Sequence, residues 1–318
     1  MQTYAEFYNF QIKRLAESDG SAFFQRRVLM GDFQKQTVQW FPGHMAKTRR
    51  LIKESLSRVD CVTEILDARI PLSSRNPEIG EITAGKPRII LLNKCDMADE
   101  KVTAQWIKYF RSTGAEAMAV DCRSGRGLNG YTQLVRKVLA DKIQQNNDRG
   151  MVGKALRVMV VGIPNTGKSS FINKMAGRVR AKVADRPGVT TSNQWFFIGN
   201  GIELLDTPGV LWPKFDDPIV GDRLAFIGSV KDAVLDVETM AVRLIDVLRE
   251  GYPERLAERY KLDDITDMQS WEILEAIGRK RGMLISGGEV NTERASVMLL
   301  DEYRGGKLGR ISMEFPPA

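Results

Sequence analysis

The sequence predicts an α/β chain: a mostly parallel sheet wrapped by helices, followed by a small all-helical region. Three observations predict it. Short apolar runs rich in β-branched residues alternate with helical patterns over residues 37–215, the pattern of strand–helix–strand units. One such run, Leu156-Arg157-Val158-Met159-Val160-Val161, passes through a glycine-bounded turn into the helical stretch Ser169-Ser170-Phe171-Ile172-Asn173-Lys174-Met175. Residues 216–318 then lose β alternation. Leu235 to Leu248, Pro253 to Tyr260, Met268 to Ile277 and Asn291 to Tyr303 read as helices, broken by Gly251-Tyr252-Pro253 and Gly287-Gly288.

Residues 1–36 form an N-terminal extension of near-balanced charge, expected to be poorly ordered. It contains Glu6, Glu17 and Asp19 and no long apolar core, so it reads as neither a signal nor a transit peptide. Met30 is an alternative start. The first strand is Asp60-Cys61-Val62-Thr63-Glu64-Ile65-Leu66-Asp67, the second Arg88-Ile89-Ile90-Leu91-Leu92. The second runs into Asn93-Lys94-Cys95-Asp96, which fits N-K-x-D. Asp96 can accept hydrogen bonds from guanine N1–H and the 2-amino group. Adenine offers neither donor in that geometry, and an unpaired buried carboxylate is costly, so one residue can discriminate strongly. Lys94 is expected along the base, and Asn93 is expected to tie this loop to the phosphate loop. A solvated turn is the plain alternative.

The strand Glu116-Ala117-Met118-Ala119-Val120 leads into Asp121-Cys122-Arg123-Ser124-Gly125. This weakly matches a loop whose backbone meets guanine O6, with the Cys122 N–H as donor and Asp121 in place of a more usual serine. The strand Leu156–Val161 leads into Gly162-Ile163-Pro164-Asn165-Thr166-Gly167-Lys168-Ser169, which fits G-x-x-x-x-G-K-[ST]. Backbone N–H groups from Asn165 through Ser170 are expected to cradle phosphates at a helix start. Lys168 would reach the β/γ-phosphates and Ser169 would hold Mg²⁺. The strand Ile202-Glu203-Leu204-Leu205 leads into Asp206-Thr207-Pro208-Gly209. Asp206 would hold Mg²⁺ through water, and the Gly209 N–H would sense the γ-phosphate.

Together these motifs name GTP as ligand. Their order is inverted: the base motif precedes the phosphate loop by about 70 residues. Nucleotides bind at the carboxyl ends of parallel strands, which meet in space whatever the chain order. The expected fold is therefore a circularly permuted P-loop GTPase domain over 37–215, then a small all-α C-terminal domain over 216–318. The chain opens just after the second switch, so a nucleotide-driven shift there would feed directly into the C-terminal region from Trp212-Pro213 onward. Pro187-Gly188-Val189-Thr190-Thr191 lies where the first switch belongs. By resemblance to that fold, Thr191 rather than Thr190 takes the Mg²⁺ role.

The 318 residues are enough for two domains. No apolar run approaches 18 residues, so no membrane helix is expected. Cys61, Cys95 and Cys122 lack metal spacing and fit a reducing cytoplasm. Charge is uneven. From Asp216 onward there are 14 basic and 20 acidic residues, against 33 and 20 in the first 215. The basic runs Lys47-Thr48-Arg49-Arg50 and Lys174, Arg178, Arg180, Lys182 and Arg186 suit a phosphate backbone, or form an ordinary solvated surface.

Trp40-Phe41-Pro42-Gly43-His44-Met45, Asp67-Ala68-Arg69-Ile70-Pro71, Arg75-Asn76-Pro77, Leu211-Trp212-Pro213-Lys214 and Lys280-Arg281-Gly282 complete a set. With them, residues 37–318 resemble the bacterial ribosome biogenesis GTPase A family. The resemblance implies a late role in assembling the large ribosomal subunit and a helical C-terminal domain that contacts its rRNA. The acidic excess there means that binding would rest on local clusters such as Arg279-Lys280-Arg281, Lys307 and Arg310. Arg69 and Arg75 are either RNA contacts or internal ion pairs.

Many GTPases place a glutamine after the glycine of D-x-x-G to orient water. Here Val210 and Leu211 follow Gly209. His44, the one histidine of the chain, follows a Pro-Gly turn and can orient or polarise water near neutral pH; a structural histidine is the alternative. The missing glutamine and the resemblance favour the catalytic role. Asn165 occupies a position where, in related GTPases, asparagine helps bind K⁺ beside the phosphates, although Thr166 stands where valine is commoner. A loop-structuring asparagine is the alternative. The resulting expectation is a GTP-hydrolysing switch on the large-subunit precursor, cytoplasmic and monomeric off the ribosome. Rival readings are a nucleotide-gated RNA-binding module with little hydrolysis and a GTPase acting in RNA modification.

Overall fold

Helix α1 (Pro42–Ser55) leads into β1 (Cys61–Asp67), and strands then alternate with helices through β6. The order is α2 (Pro77–Ile82), β2 (Arg88–Asn93), α3 (Glu100–Ser112), β3 (Glu116–Ala119), α4 (Tyr131–Val138), α5 (Ala140–Asp148), β4 (Leu156–Val161), α6 (Lys168–Met175), β5 (Gln194–Gly199) and β6 (Ile202–Asp206). The remaining helices are α7 (Pro218–Phe226), α8 (Val237–Gly251), α9 (Pro253–Tyr260), α10 (Ser270–Lys280) and α11 (Thr292–Arg304). This computed structural model describes residues 42–177, 194–212, 215 and 217–317. The expectations for residues 1–36, for Thr190 and Thr191, and for Pro213-Lys214 lie outside the described residues.

The sheet order is β3-β2-β1-β4-β6-β5, parallel except for β5 against β6. From β1 the chain steps outward to β3, returns to lay β4 on the other side of β1, and then forms the edge strand β5 before β6 fills the place between β5 and β4. The order therefore reverses between β1 and β4. That reversal opens a crevice at the carboxyl ends of these two strands, where ligands bind in open α/β sheets.

Strand side chains alternate between two buried faces. Ile65, Ile89, Leu91, Val158 and Val160 pack with Tyr131 of α4 and Phe171 of α6. On the other face, Leu66, Ile90 and Leu92 pack with Trp106 and Phe110 of α3. Beside them Val62, Met159, Val161 and Leu205 meet Ile52 of α1 and Ile79 of α2.

Among the elements that the sequence did not mark out, two have local causes. Strand β5 is joined to β6 by Asn200-Gly201, with φ of 52° and 71°, the doubly positive φ of a type I′ hairpin. Helix α7 begins at an Asp217 cap accepting from the Ile219 N–H, with Pro218 in the first turn. Helix α8 starts two residues later than its periodicity predicts because Asp236 caps it, accepting from the Thr239 N–H. Helices α8, α10 and α11 pack on one another through faces that include Leu244, Ile245, Ile273, Ile277, Ala295 and Leu299. The described residues form one compact unit.

Candidate functional site

The loop from Gly162 to Gly167 joins β4 to α6 at the crevice. Its glycines are fixed by close approach: a Cβ on Gly162 would lie 2.7 Å from the Ile65 carbonyl oxygen, and one on Gly167 2.1 Å from Asn93 Nδ2. Gly167 also has φ of 95°, where a side chain is strained. The Thr166 hydroxyl is turned inward, donating to the Ile163 carbonyl at 2.9 Å. Ser169 and Ser170 lie in the first turn of α6, with backbone N–H groups free of the helical ladder. Lys168 is buried, its Nζ 2.6 Å from Asp206 Oδ1 at the end of β6. A buried cation and a buried carboxylate thus stand side by side at the start of α6.

Gly209 lies against the phosphate loop, where a Cβ would sit 3.2 Å from Pro164 N. Thr207 Oγ1 donates to the Val160 carbonyl at 2.8 Å. Asn76 Nδ2 donates to the Val210 carbonyl at 2.9 Å, and Leu211 is buried. The second switch is therefore held from both sides, by the phosphate-loop strand and by the loop before α2.

Asn93 joins three loops. Its Nδ2 donates to the Thr166 carbonyl at 2.7 Å, and its Oδ1 accepts from the Cys122 N–H at 2.9 Å. The second bond gives the Cys122 N–H, expected from sequence to face guanine O6, a partner within the protein. Asp121 precedes it in the same loop. Its carboxylate accepts from the Arg123 and Ser124 N–H groups at 2.8 and 3.2 Å and so shapes its own turn. Burial raises the Asp121 pKa, but hydrogen bonds from Ser124 and Arg123 outweigh it and hold the carboxyl below its usual range. Asp96, in contrast, is exposed at the tip of its loop.

Sequence reasoning missed what supports Lys94. Its Nζ lies 3.0 Å from Asp67 Oδ2. Asp67 is fully buried at the end of β1 and takes a two-point pair from Arg69, at 2.9 Å from Nε and 2.8 Å from Nη2. Arg69 is therefore an internal ion pair and not an RNA contact. Arg75 lies 3.3 Å from the buried Glu64 carboxylate, while its own side chain stays partly exposed. Burial pushes the Asp67 carboxyl up, but Arg69 and Lys94 together hold it well below the usual carboxylate range. Because the folded pKa lies below the unfolded value of roughly 3.9, the pair stabilises fully above that pH. Its contribution is lost as pH falls below it toward the folded value. Replacing Arg69 by Met leaves Asp67 with one cation. Urea unfolding at pH 7 is expected to show a loss of about 3 kcal/mol, the low end for breaking a buried pair, and the gap to the parent should narrow in acid.

The site also reaches the helical region. Asn165, at φ of 62°, donates its amide to the Gly228 carbonyl just past α7. Ser229 Oγ donates to the Pro164 carbonyl at 2.7 Å. His44 lies in the first turn of α1; its side chain is outside the described residues. No helix among the described residues is long and apolar enough to cross a membrane.

The comparisons agree with this geometry. The family model for 50S ribosome-binding GTPases matches residues 157–275, starting at the phosphate-loop strand. Ribosome biogenesis GTPase A of Bacillus cereus is 47% identical over 279 residues, covering 88% of this chain and 94% of its own. The Thermotoga maritima protein of the same name is 35% identical, covering 88% and 95%. The crystal structure of GNP-bound YlqF from T. maritima superposes with a TM-score of 0.59 at 31% identity, covering 85% of this chain and 98% of that one. The fold is a circularly permuted GTPase fold, and the chain hydrolyses GTP. With nearly half its residues shared with such relatives along most of its length, the chain belongs to the ribosome biogenesis GTPase A family.

Proposed function

We propose that this GTPase is a switch that binds the precursor of the large ribosomal subunit and acts late in its assembly, in the cytoplasm and as a monomer off the ribosome. Residues 37–215 bind and hydrolyse nucleotide; residues 216–318 contact rRNA through local basic clusters. The exposed Arg279 and Lys280 suit that role. Arg310 is shared with Glu100 at 2.8 Å. The observation that carries the switch reading is the join between phosphate loop and helical region, through Asn165 to Gly228 and Ser229 to Pro164. A change at the phosphates has a direct path to the surface that meets RNA.

In this reading Asp96 and Lys94 hold guanine, and the N–H groups of Asn165 to Ser170 hold the phosphates. Lys168 neutralises the β/γ-phosphate charge, and the Gly209 N–H meets the γ-phosphate. Ser169, Thr191 and Asp206 hold Mg²⁺. A hydroxyl and a single buried carboxylate make the sparse oxygen set that Mg²⁺ takes when phosphates and water fill the rest. The ion would supply charge neutralisation on the transferring phosphoryl group. His44 positions the attacking water. Phosphate release should accelerate with large-subunit precursors and not with small-subunit particles; equal rates with both would overturn the assignment.

Asn165 also suits K⁺, since its amide is engaged by Gly228 and its Oδ1 remains an acceptor. Hydrolysis is expected to rise when K⁺ replaces Na⁺ at equal ionic strength. Asn165→Ala should abolish the difference and keep GDP binding largely intact. Asn165→Asp keeps an oxygen and loses the donor to Gly228, so it separates ion binding from loop support. Equal rates in both salts for the parent, particles included, would remove the ion from the mechanism.

A further inference from the structure

Beyond α11 the chain passes against the base loop and the loop that follows β1. After α11, residues Ile311 to Glu314 are buried and belong to no helix or strand. Alternate N–H groups point to two different loops: Ile311 donates to the Met97 carbonyl and Met313 to the Arg69 carbonyl, each at 2.9 Å. Ser312 Oγ accepts from the Asp99 N–H at 3.0 Å. Met97 follows Asp96 directly, and its own N–H closes the base loop onto the Lys94 carbonyl at 2.9 Å. Gly306 lies so near that a Cβ there would be 2.8 Å from Met97 Cγ. The segment thus grips the base loop just beyond the guanine-reading carboxylate. It also grips the loop carrying the Asp67–Arg69 pair that holds Lys94.

The segment is itself clamped. The Glu314 carboxylate accepts from the Leu72 N–H at 2.6 Å, the Ser73 N–H at 3.1 Å, the Ser73 hydroxyl, and Arg223 Nη1 of α7 at 3.0 Å. Its carbonyl accepts from Trp106 Nε1 at 3.1 Å. The Tyr252 hydroxyl, between α8 and α9, donates to the Ser312 carbonyl and accepts from the Ser312 N–H, both at 2.9 Å. A buried carboxylate with so many donors fixes one chain path, because losing any partner would leave another unpaired.

We propose that Ile311–Glu314 is a strap belonging to the guanine site: it holds the base loop in its reading shape, so guanine affinity depends on the helices that clamp the strap. Glu314, Ser312 and Tyr252 are then positioning residues that never touch nucleotide. The coupling is reciprocal: guanine binding tightens the strap, and a partner that shifts the helices loosens guanine. This rests on the reading of Asp96 as the guanine-binding carboxylate.

The test uses the full chain with fluorescent GDP and its inosine counterpart, which lacks the 2-amino group. Glu314→Gln and Tyr252→Phe are expected to speed GDP release about tenfold, within the roughly 5–150-fold range of such couplings. Both should also shrink the ratio of GDP to inosine diphosphate affinity, because a displaced Asp96 loses its hold on the 2-amino group. Thermal melting is recorded alongside. If Glu314→Gln does not fold, Tyr252→Phe and Ser312→Ala decide. A lower melting temperature with unchanged release rate and unchanged base ratio would make the strap structural support only and overturn the proposal. Asp96→Asn is the control: if it too leaves the base ratio at the parent value, the base-loop reading has failed and not merely the strap.

Discussion

His44→Ala is expected to bind GTP and large-subunit particles as the parent does, yet to lose particle-stimulated hydrolysis by about 10²–10⁴, the usual worth of a water-positioning or acid–base group. Val210 stands where a water-orienting glutamine is common, its carbonyl is held by Asn76, and Leu211 is buried. Neither side chain can hydrogen-bond water. Helix α1 is the element that can bring an imidazole to the site. Its Ile52 packs with Met159, Val161 and Leu205, on the strands that end in the phosphate loop and at Asp206. Arg49 pairs with Glu78 of α2. His44 is eight residues before Ile52, about 12 Å along the helix at 1.5 Å per residue. Basal hydrolysis should change less than stimulated hydrolysis, since the free enzyme need not hold the first turn of α1 in place. A structural histidine predicts a different pattern: a lower melting temperature and weaker particle binding, with the rate per bound complex preserved. Single-turnover hydrolysis at saturating particle, beside a melting curve, separates them. A stable, fully bound variant with undiminished stimulated turnover would remove His44 from catalysis.

What was legible in the sequence was local. The phosphate loop, the base loop and Asp206 each follow a strand whose short apolar run announces it, and the strand ends coincide in space because parallel strands end on one side. The type I′ turn at Asn200-Gly201 and the Asp217-Pro218 helix start were also written locally, and would have revealed β5 and α7. The illegible part is made of contacts between distant residues. Glu314 meets Leu72 and Ser73 across more than 240 residues. Asn165 finds Gly228, and Arg69 reaches the Tyr303 carbonyl at 3.0 Å. No periodicity encodes such pairs. Cys122 shows the same limit at short range: no motif announces that its N–H meets the Asn93 side chain, since that depends on a side-chain rotamer.

Asp96→Asn is expected to weaken GTP binding by about tenfold to over a hundredfold, the cost of roughly 1.5–3 kcal/mol for losing a charge-assisted hydrogen-bonded pair. The same variant should gain affinity for xanthosine triphosphate, whose 2-oxo group accepts from the new amide where guanine offers a donor. The gain matters more than the loss, because unfolding or a distorted loop would weaken both nucleotides alike. The structure makes the substitution clean. Asp96 is exposed, while the shape of its loop rests on other groups: Asn93 bonded to Thr166 and Cys122, Lys94 paired with Asp67, and the Met97 carbonyl held by Ile311. Removing one charge at the tip leaves these in place, so melting should stay near the parent. Competition of GTP and xanthosine triphosphate against a fluorescent diphosphate measures both affinities in one titration. Parent-like GTP binding in the variant would show that guanine is read elsewhere. A loss of GTP binding without any gain for xanthosine triphosphate would show that Asp96 supports the loop rather than the base.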